Sequence, residues 1–334
     1  MAAQQAPAPM TSRERIAAAI AGKAVDRPPI SLWQHLPERD QTPDDLTAAT
    51  MEWQNRYQFD FVKYMPPGDY ATIDWGLRST FTGSTSGTRT ATDIPIKHPD
   101  DWKSLKPLDV GQGFNGMIVE AVRQTRAALD PDVPLLQTIF SPLTIAMKLS
   151  GGRAIEHLRA HPVWMHQALS VIRDVTSDMA AASFEAGADG MFFASQCADS
   201  SLMDDVEYRE FGITYDLPIF DATPPDGAIN LVHFHGEMPM IHLLSRYPAQ
   251  IVNWHDRHAG PNLAEGSRLT RKCVAGGINE RTISKWSPDE IGMEVAEAIQ
   301  QMNGRWLIVA PGCVIPTDTP EANIRAAIAA VRNV

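Results

Sequence analysis

The chain has 334 residues, 44% of them hydrophobic and 21% charged, with a formal net charge of −11. That is an ordinary globular composition, long enough for two average domains or one large barrel. The acidic balance, spread along the chain, excludes the basic face that a nucleic-acid partner requires, and no apolar run reaches the about 20 residues that span a bilayer.

The opening stretch MAAQQAPAPM lacks a basic region followed by an apolar one. It reads as a short disordered arm over residues 1–10 and not as a secretory leader. TSRERIAAAIAG then reads as a helix, with Thr11 as cap, Glu14 three residues on and Gly22 at its end. TPDDL (cap Thr42, with Pro43 in the first turn), SPDEI (cap Ser287, with Glu290 closing a capping box) and TPEANIRAAIAAVR (cap Thr319) repeat that punctuation. Between such helices lie eight β-prone segments, at 28–34, 59–65, 134–140, 190–195, 230–236, 251–254, 273–278 and 306–312. This alternation predicts an α/β fold, a (β/α)8 TIM-type barrel forming a single domain over residues 11–334. An open doubly wound sheet would bring a glycine-rich phosphate loop after an early strand, and none occurs. Residues 66–132 break the alternation. Their Thr/Ser/Gly-rich part, STFTGSTSGTRTATDIPIK, predicts a hairpin or extended excursion inserted over the barrel mouth.

Barrels of this kind place function at the C-terminal ends of their strands. In LVHFHGEMPM, the period-two alternation sends His233 and His235 to one side and Phe234 to the other. Cys313 follows the last strand, and His255 and Asp256 follow the sixth. Imidazole, thiolate and carboxylate converging at one mouth suit Zn²⁺. His233, His235 and Cys313 are the expected metal ligands, with His255 and Asp256 as catalytic candidates. Tyr64, at the end of the second strand, is an acid–base candidate. Lys63 is expected on the face away from the mouth. Gln34, His35, Asp74 and Glu237 are substrate-binding candidates. Cys197 and Cys273 read as structural, as do His98, His157, His161, His166 and His242. Three widely spaced cysteines give no disulfide framework, and a reducing cytoplasm is the expected setting.

Several stretches resemble the uroporphyrinogen decarboxylase family, in its order and at its spacing. They are TSRERIAAAIAGKAVDRPPIS, PLLQTIFSPLTIAMKLSGG, EAGADGMFFAS, LVHFHGEMPMIHLL, VAGGINERTI and VAPGCVIPTDTPEANIRAAI, and together they run through nearly the whole chain. The resemblance implies a single-domain (β/α)8 barrel and one of two chemistries: the decarboxylation of heme synthesis, or zinc-dependent methyl transfer serving corrinoid proteins, including methylation of coenzyme M. Cobalamin-independent methionine synthase is a more distant barrel relative with a similar zinc site.

The decarboxylases carry MRQAGR after the first strand, to bind substrate carboxylates. The matching stretch is SLWQHLPERD, in which Gln34 matches the glutamine, Trp33 replaces the first arginine and Arg39 aligns only loosely with the second. Their GHG near the last strand is PGC here, with Gly312 in place of the histidine. Without clustered arginines, eight substrate carboxylates would lack charge-assisted partners. The methyltransferase pattern, His-x-Cys-Gly with a later Gly-Cys, is matched at His233, Gly236, Gly312 and Cys313, with His235 in place of the middle cysteine. The resemblance therefore implies a zinc-dependent methyltransferase that activates a thiol or other small nucleophile. The methyl group would come from a corrinoid such as methylcobalamin on a separate protein. The alternatives are a decarboxylase (carboxy-lyase) acting on a uroporphyrinogen-like or smaller acid, and a non-catalytic metal- or corrinoid-binding barrel. Partners are otherwise a small-molecule substrate, with the chain a monomer or homodimer.

Overall fold

The computed structural model describes residues 9–224 and 226–332. The arm expected over residues 1–10 lies, up to residue 8, outside the described residues. The strands are β1 (Val62–Tyr64), β2 (Arg78–Thr80), β3 (Thr90–Asp93), β4 (Leu135–Phe140), β5 (Gly190–Ser195), β6 (Leu231–Phe234), β7 (Ile251–Asn253), β8 (Cys273–Ile278) and β9 (Leu307–Pro311). Seven of them pair in parallel in the order β1-β4-β5-β6-β7-β8-β9. The strands β4, β5 and β8 are buried along their whole length, as expected for a parallel sheet covered on both faces.

The segment expected as a first strand at 28–34 contracts to a single parallel bridge, Ile30 to Val309. Its backbone still bonds in both directions. Val309 N donates to Pro29 O at 2.8 Å and Ser31 N to Val309 O at 3.1 Å, while Asp60 N donates to Ile30 O at 2.9 Å. Residues 29–31 thus sit between β9 and the segment that leads into β1. Asp60 holds them there: its buried carboxylate accepts from Ile30 N at 2.8 Å, from Arg15 at 2.6 Å and from Arg27 at 2.7 Å.

Most of the helix punctuation is observed. Thr11 and Glu14 form a reciprocal capping box on Ser12–Ile20, Gly22 follows that helix at φ +63, Thr42 caps Pro43–Tyr57, and Ser287 with Glu290 caps Pro288–Gln301. Thr319 is the exception. The last helix, Glu321–Arg332, starts later, and the Thr319 hydroxyl instead donates to Pro316 O at 2.7 Å. Within 66–132, the Thr/Ser/Gly-rich stretch is an antiparallel hairpin of β2 and β3. Its tip is tied to the segment after β9, where Thr317 N donates to Thr85 O at 2.8 Å. Among the described residues, no helix is long and apolar enough to cross a membrane.

Replacing Asp60 with Ala would strip Arg27 of its carboxylate, leave buried Arg15 with Asp26 alone and empty the acceptor site of Ile30 N. Asp60→Ala is expected to lower unfolding stability by about 1–3 kcal/mol, measured by urea titration. A loss within about 0.5 kcal/mol, the range of ordinary surface changes, would show that this cluster does not anchor the 29–31 segment.

Candidate functional site

Three strand ends supply the side chains. On β6, His233 and His235 share a face, while Phe234 packs against Tyr208 and Tyr247 behind the strand. Gly236 ends this segment at φ +136, so close to Asp199 that a Cβ would lie 1.8 Å from its Oδ2. No L-residue with a side chain fits there, and the loop leaving His235 is pinned. Gly312, between β9 and Cys313, is equally confined: a Cβ would lie 2.8 Å from Glu280 Oε2 and 2.9 Å from His255 Cα. That leaves no room for the histidine of a GHG motif.

His233 and Asn253 are partners in the β6–β7 register. The Asn253 amide nitrogen donates to the carbonyls of Ala275 (2.9 Å) and Pro311 (3.1 Å), so its oxygen faces His233 and accepts from Nδ1–H at 2.6 Å. The Nε2 lone pair of His233 is thereby presented forward, buried and without a partner among the described residues. His255 Nδ1–H donates to Glu280 Oε1 at 2.6 Å, which turns its Nε2 toward His235 Nδ1, 2.9 Å away. Cys313 Sγ lies 3.7 Å from the same His235 nitrogen. One donor atom from each of His233, His235, His255 and Cys313 lies within 4.8 Å of the other three. Zinc bonds of about 2.0–2.1 Å to nitrogen and about 2.3 Å to sulfur place tetrahedral donors about 3.3 Å (N to N) and 3.6 Å (N to S) apart. The observed spacings, the orphaned His233 Nε2 and the N/S donor set all fit such an ion.

Burial, and next the neighbouring His255, pull His235 down to about 4, and burial takes His233 well below the usual histidine value. Both imidazoles are therefore neutral and able to act as ligands at pH 7. Burial pushes the Cys313 thiol up to about 11, with nearby Lys63 pulling the other way. Burial disfavours the Glu280 carboxylate, but the His255 hydrogen bond and the other favourable contacts together outweigh it and hold the group below its ordinary value.

His233, His235 and Cys313 border a cavity of about 340 Å³ that also takes in Trp33, His35, Lys63, Thr138, Lys148, Phe192 and Gln196. Ser86 and Thr88 of the β2–β3 hairpin close part of its rim. His35 is thus in the cavity, as expected, and burial drives its pKa down to about 3. His255 joins the donor cluster just behind the lining.

Five expected site residues point elsewhere. Tyr64 faces Thr47 and Thr125 on the helices, and Lys63 takes the inward position instead, so the parity of this strand is the reverse of the expected one. Gln34 is likewise turned away, toward Leu36, Thr50 and Trp53, with Trp33 and His35 inward. Asp74 caps the helix Gly113–Ala128, accepting from Phe114 N (2.8 Å) and Asn115 N (2.9 Å). Asp256 binds Gly277 N at 3.2 Å on the outer face, where burial raises it to about 7. Glu237 is exposed and paired with Arg281.

Four residues escaped the sequence reading: Lys63 as a cavity residue, Lys148, Asn253 and Glu280. The signal for three of them was a single polar residue inside an apolar run, in FVKYM, TIAMKL and IVNW. Nothing local marks Glu280.

Comparison with known proteins places this architecture. A model of the uroporphyrinogen decarboxylase (URO-D) family matches residues 11–334. The chain is 27% identical over 216 residues to methylcobamide:CoM methyltransferase MtaA of Methanosarcina barkeri, a match covering 64% of this chain and 62% of that protein. It is 32% identical over 128 residues to a uroporphyrinogen decarboxylase of Chlorobium phaeovibrioides, 36% of each chain. A solved methyltransferase from Methanosarcina mazei shares the fold, with a TM-score of 0.85 at 21% identity over 97% of this chain and 99% of that one. The chain belongs to the uroporphyrinogen decarboxylase family, whose members compared here, methyltransferases and decarboxylases, are enzymes.

Proposed function

We propose that the chain is a zinc-dependent methyltransferase built on a (β/α)8 barrel, with residues 29–31 standing as the eighth strand between β9 and β1. The observation that carries the reading is the convergence of His233, His235, His255 and Cys313 from three strand ends on one point bordering the cavity. His233, His235 and Cys313 would hold the ion from the cavity side, and His255 would serve as a displaceable fourth donor from behind whose place the substrate thiol takes. Bound zinc supplies a Lewis acid that lowers the pKa of a thiol and turns it into a nucleophile at neutral pH.

The chain's own residues do the rest. Asn253 and Glu280 each take the Nδ1–H of an imidazole, fixing tautomer and ring direction. Trp33, Phe192 and the hairpin tip wall the cavity and limit water. The methyl donor is a methylated corrinoid on a separate protein, in keeping with the methylcobamide:CoM methyltransferase relatives. No arginine borders the cavity among the described residues, which weighs against a polycarboxylate tetrapyrrole as substrate.

Protein purified without a histidine tag is expected to carry about one zinc per chain by elemental analysis. Cys313→Ala and His233→Ala should lose it together with methyl transfer from methylcobalamin to a small thiol. Retention of stoichiometric zinc in both variants contradicts the reading, as does failure of the zinc-loaded protein to methylate any thiol. His235→Cys should keep the metal, since thiolate is an equally good zinc ligand.

Glu280→Gln removes the carboxylate behind His255 and leaves the shape almost unchanged. Zinc affinity should fall about 10–100-fold in a competitive chelator titration. Unchanged affinity would remove Glu280, and with it His255, from the proposed centre.

A further inference from the structure

Behind His255, away from the cavity, a second set of donors converges. His258 follows His255 in a tight turn, closed by His258 N donating to His255 O at 3.1 Å, and the two rings sit with centres 4.8 Å apart. Glu280, from the loop after β8, reaches both. Its Oε1 accepts from His255 Nδ1 at 2.6 Å and lies 3.6 Å from His258 Nδ1. One donor atom from each of the three lies within 4.8 Å of the other two. None of the three lines the cavity.

Three polar atoms here are left over. Neither ring nitrogen of His258 has a hydrogen-bond partner among the described residues, and Glu280 Oε2 has none either. All three atoms are buried, and the Glu280 side chain is only 8% exposed. A neutral imidazole carries one N–H and one lone pair, so His258 has both a donor and an acceptor unused. Buried polar atoms are normally paired. Two imidazoles and a carboxylate at this spacing suit a divalent transition-metal ion, while Mg²⁺ and Ca²⁺ prefer oxygen donors throughout.

We infer that His255, His258 and Glu280 form a second cation site, separate from the proposed zinc centre, which takes a zinc-like divalent ion. The ion meets His255 at Nδ1, whose proton leaves to solvent, while Nε2 of the same ring still faces His235. One imidazole then joins two cations. Loss of the Nδ1 proton makes Nε2 a stronger donor, so a filled second site keeps His255 in the first centre and opposes its displacement by a thiol. This braking effect rests on the proposed methyl transfer; the binding itself does not.

Calorimetric titration of the untagged full chain, stripped of metal, with Zn²⁺, Co²⁺ and Mg²⁺ tests this. Wild-type protein is expected to take up about two Zn²⁺ or Co²⁺ ions per chain and no Mg²⁺. The second ion binds more weakly, because two cations repel across one imidazole, and is lost during purification. His258→Ala and His258→Gln should weaken that ion about tenfold or more and keep the first. Cys313→Ala should do the reverse. Cobalt spectra add a signature that needs no variant: the ion held by Cys313 brings a thiolate charge-transfer band, and the other adds ligand-field bands without one, since its donors include no sulfur. Excess Zn²⁺ should slow methyl transfer by the wild type and spare His258→Gln.

A wild type that takes up only the ion lost in Cys313→Ala overturns the inference and leaves the zinc centre standing. So does a second ion whose arrival strengthens the thiolate band, or one that both His258 variants bind as well as wild type. If the wild type takes up one ion, which Cys313→Ala keeps and His258→Gln loses, the second site stands and the zinc centre falls. Uptake of both ions with methyl transfer unslowed contradicts the brake on His255.

Discussion

The hydrogen bond between His233 Nδ1 and Asn253 Oδ1, 2.6 Å across two paired strands, sets the direction of everything at the site. Asn253 cannot rotate to offer its nitrogen, because that nitrogen already serves two backbone carbonyls on β8 and β9. The imidazole therefore has one free nitrogen and one orientation. The same device recurs one layer up, where Glu280 turns His255 toward His235. Two side chains with no electron pair directed at the centre thus decide how the four donors meet.

Burial acts on these donors with opposite signs. It keeps His233 and His235 neutral, as ligands must be, and it drives the Cys313 thiol toward its protonated form. A cation at the meeting point reverses the second effect without disturbing the first, since it stabilises thiolate and has no need of imidazolium. Lys63 already lowers the thiol from across the cavity. Among the described residues no aspartate or glutamate lines the cavity side of the cluster, and the Glu280 carboxylate stands behind His255.

The architecture was legible because helix caps and apolar runs alternate plainly along the chain. Thr11, Thr42 and Ser287 cap where expected, and seven of eight expected strands form with ends shifted by a residue or a few. His233, His235 and Cys313 were legible for a stronger reason: His235 and Cys313 each sit past a strand end beside a glycine, and Phe234 between the two histidines puts His233 on the same face as His235. Parity elsewhere was not. In FVKYM, apolar and polar residues do not alternate, because a parallel strand packed on both faces buries both sets. Lys63 and Tyr64 were therefore assigned to the wrong sides. Asp74 caps a helix that begins 39 residues further on in the chain, at Gly113, and no local pattern reveals such a cap. Glu280 acts through a partner on another strand and is invisible for the same reason.

Zinc-edge X-ray absorption on the untagged protein tests the central claim most directly, because it counts and identifies the donors without relying on turnover. The account predicts one sulfur at about 2.3 Å with the remaining first-shell atoms nitrogen or oxygen at about 2.0–2.2 Å, including the multiple-scattering signature of imidazole. The sulfur shell should vanish in Cys313→Ser. A bound zinc with no sulfur in the wild-type protein, or with a sulfur shell unchanged in Cys313→Ser, would contradict it.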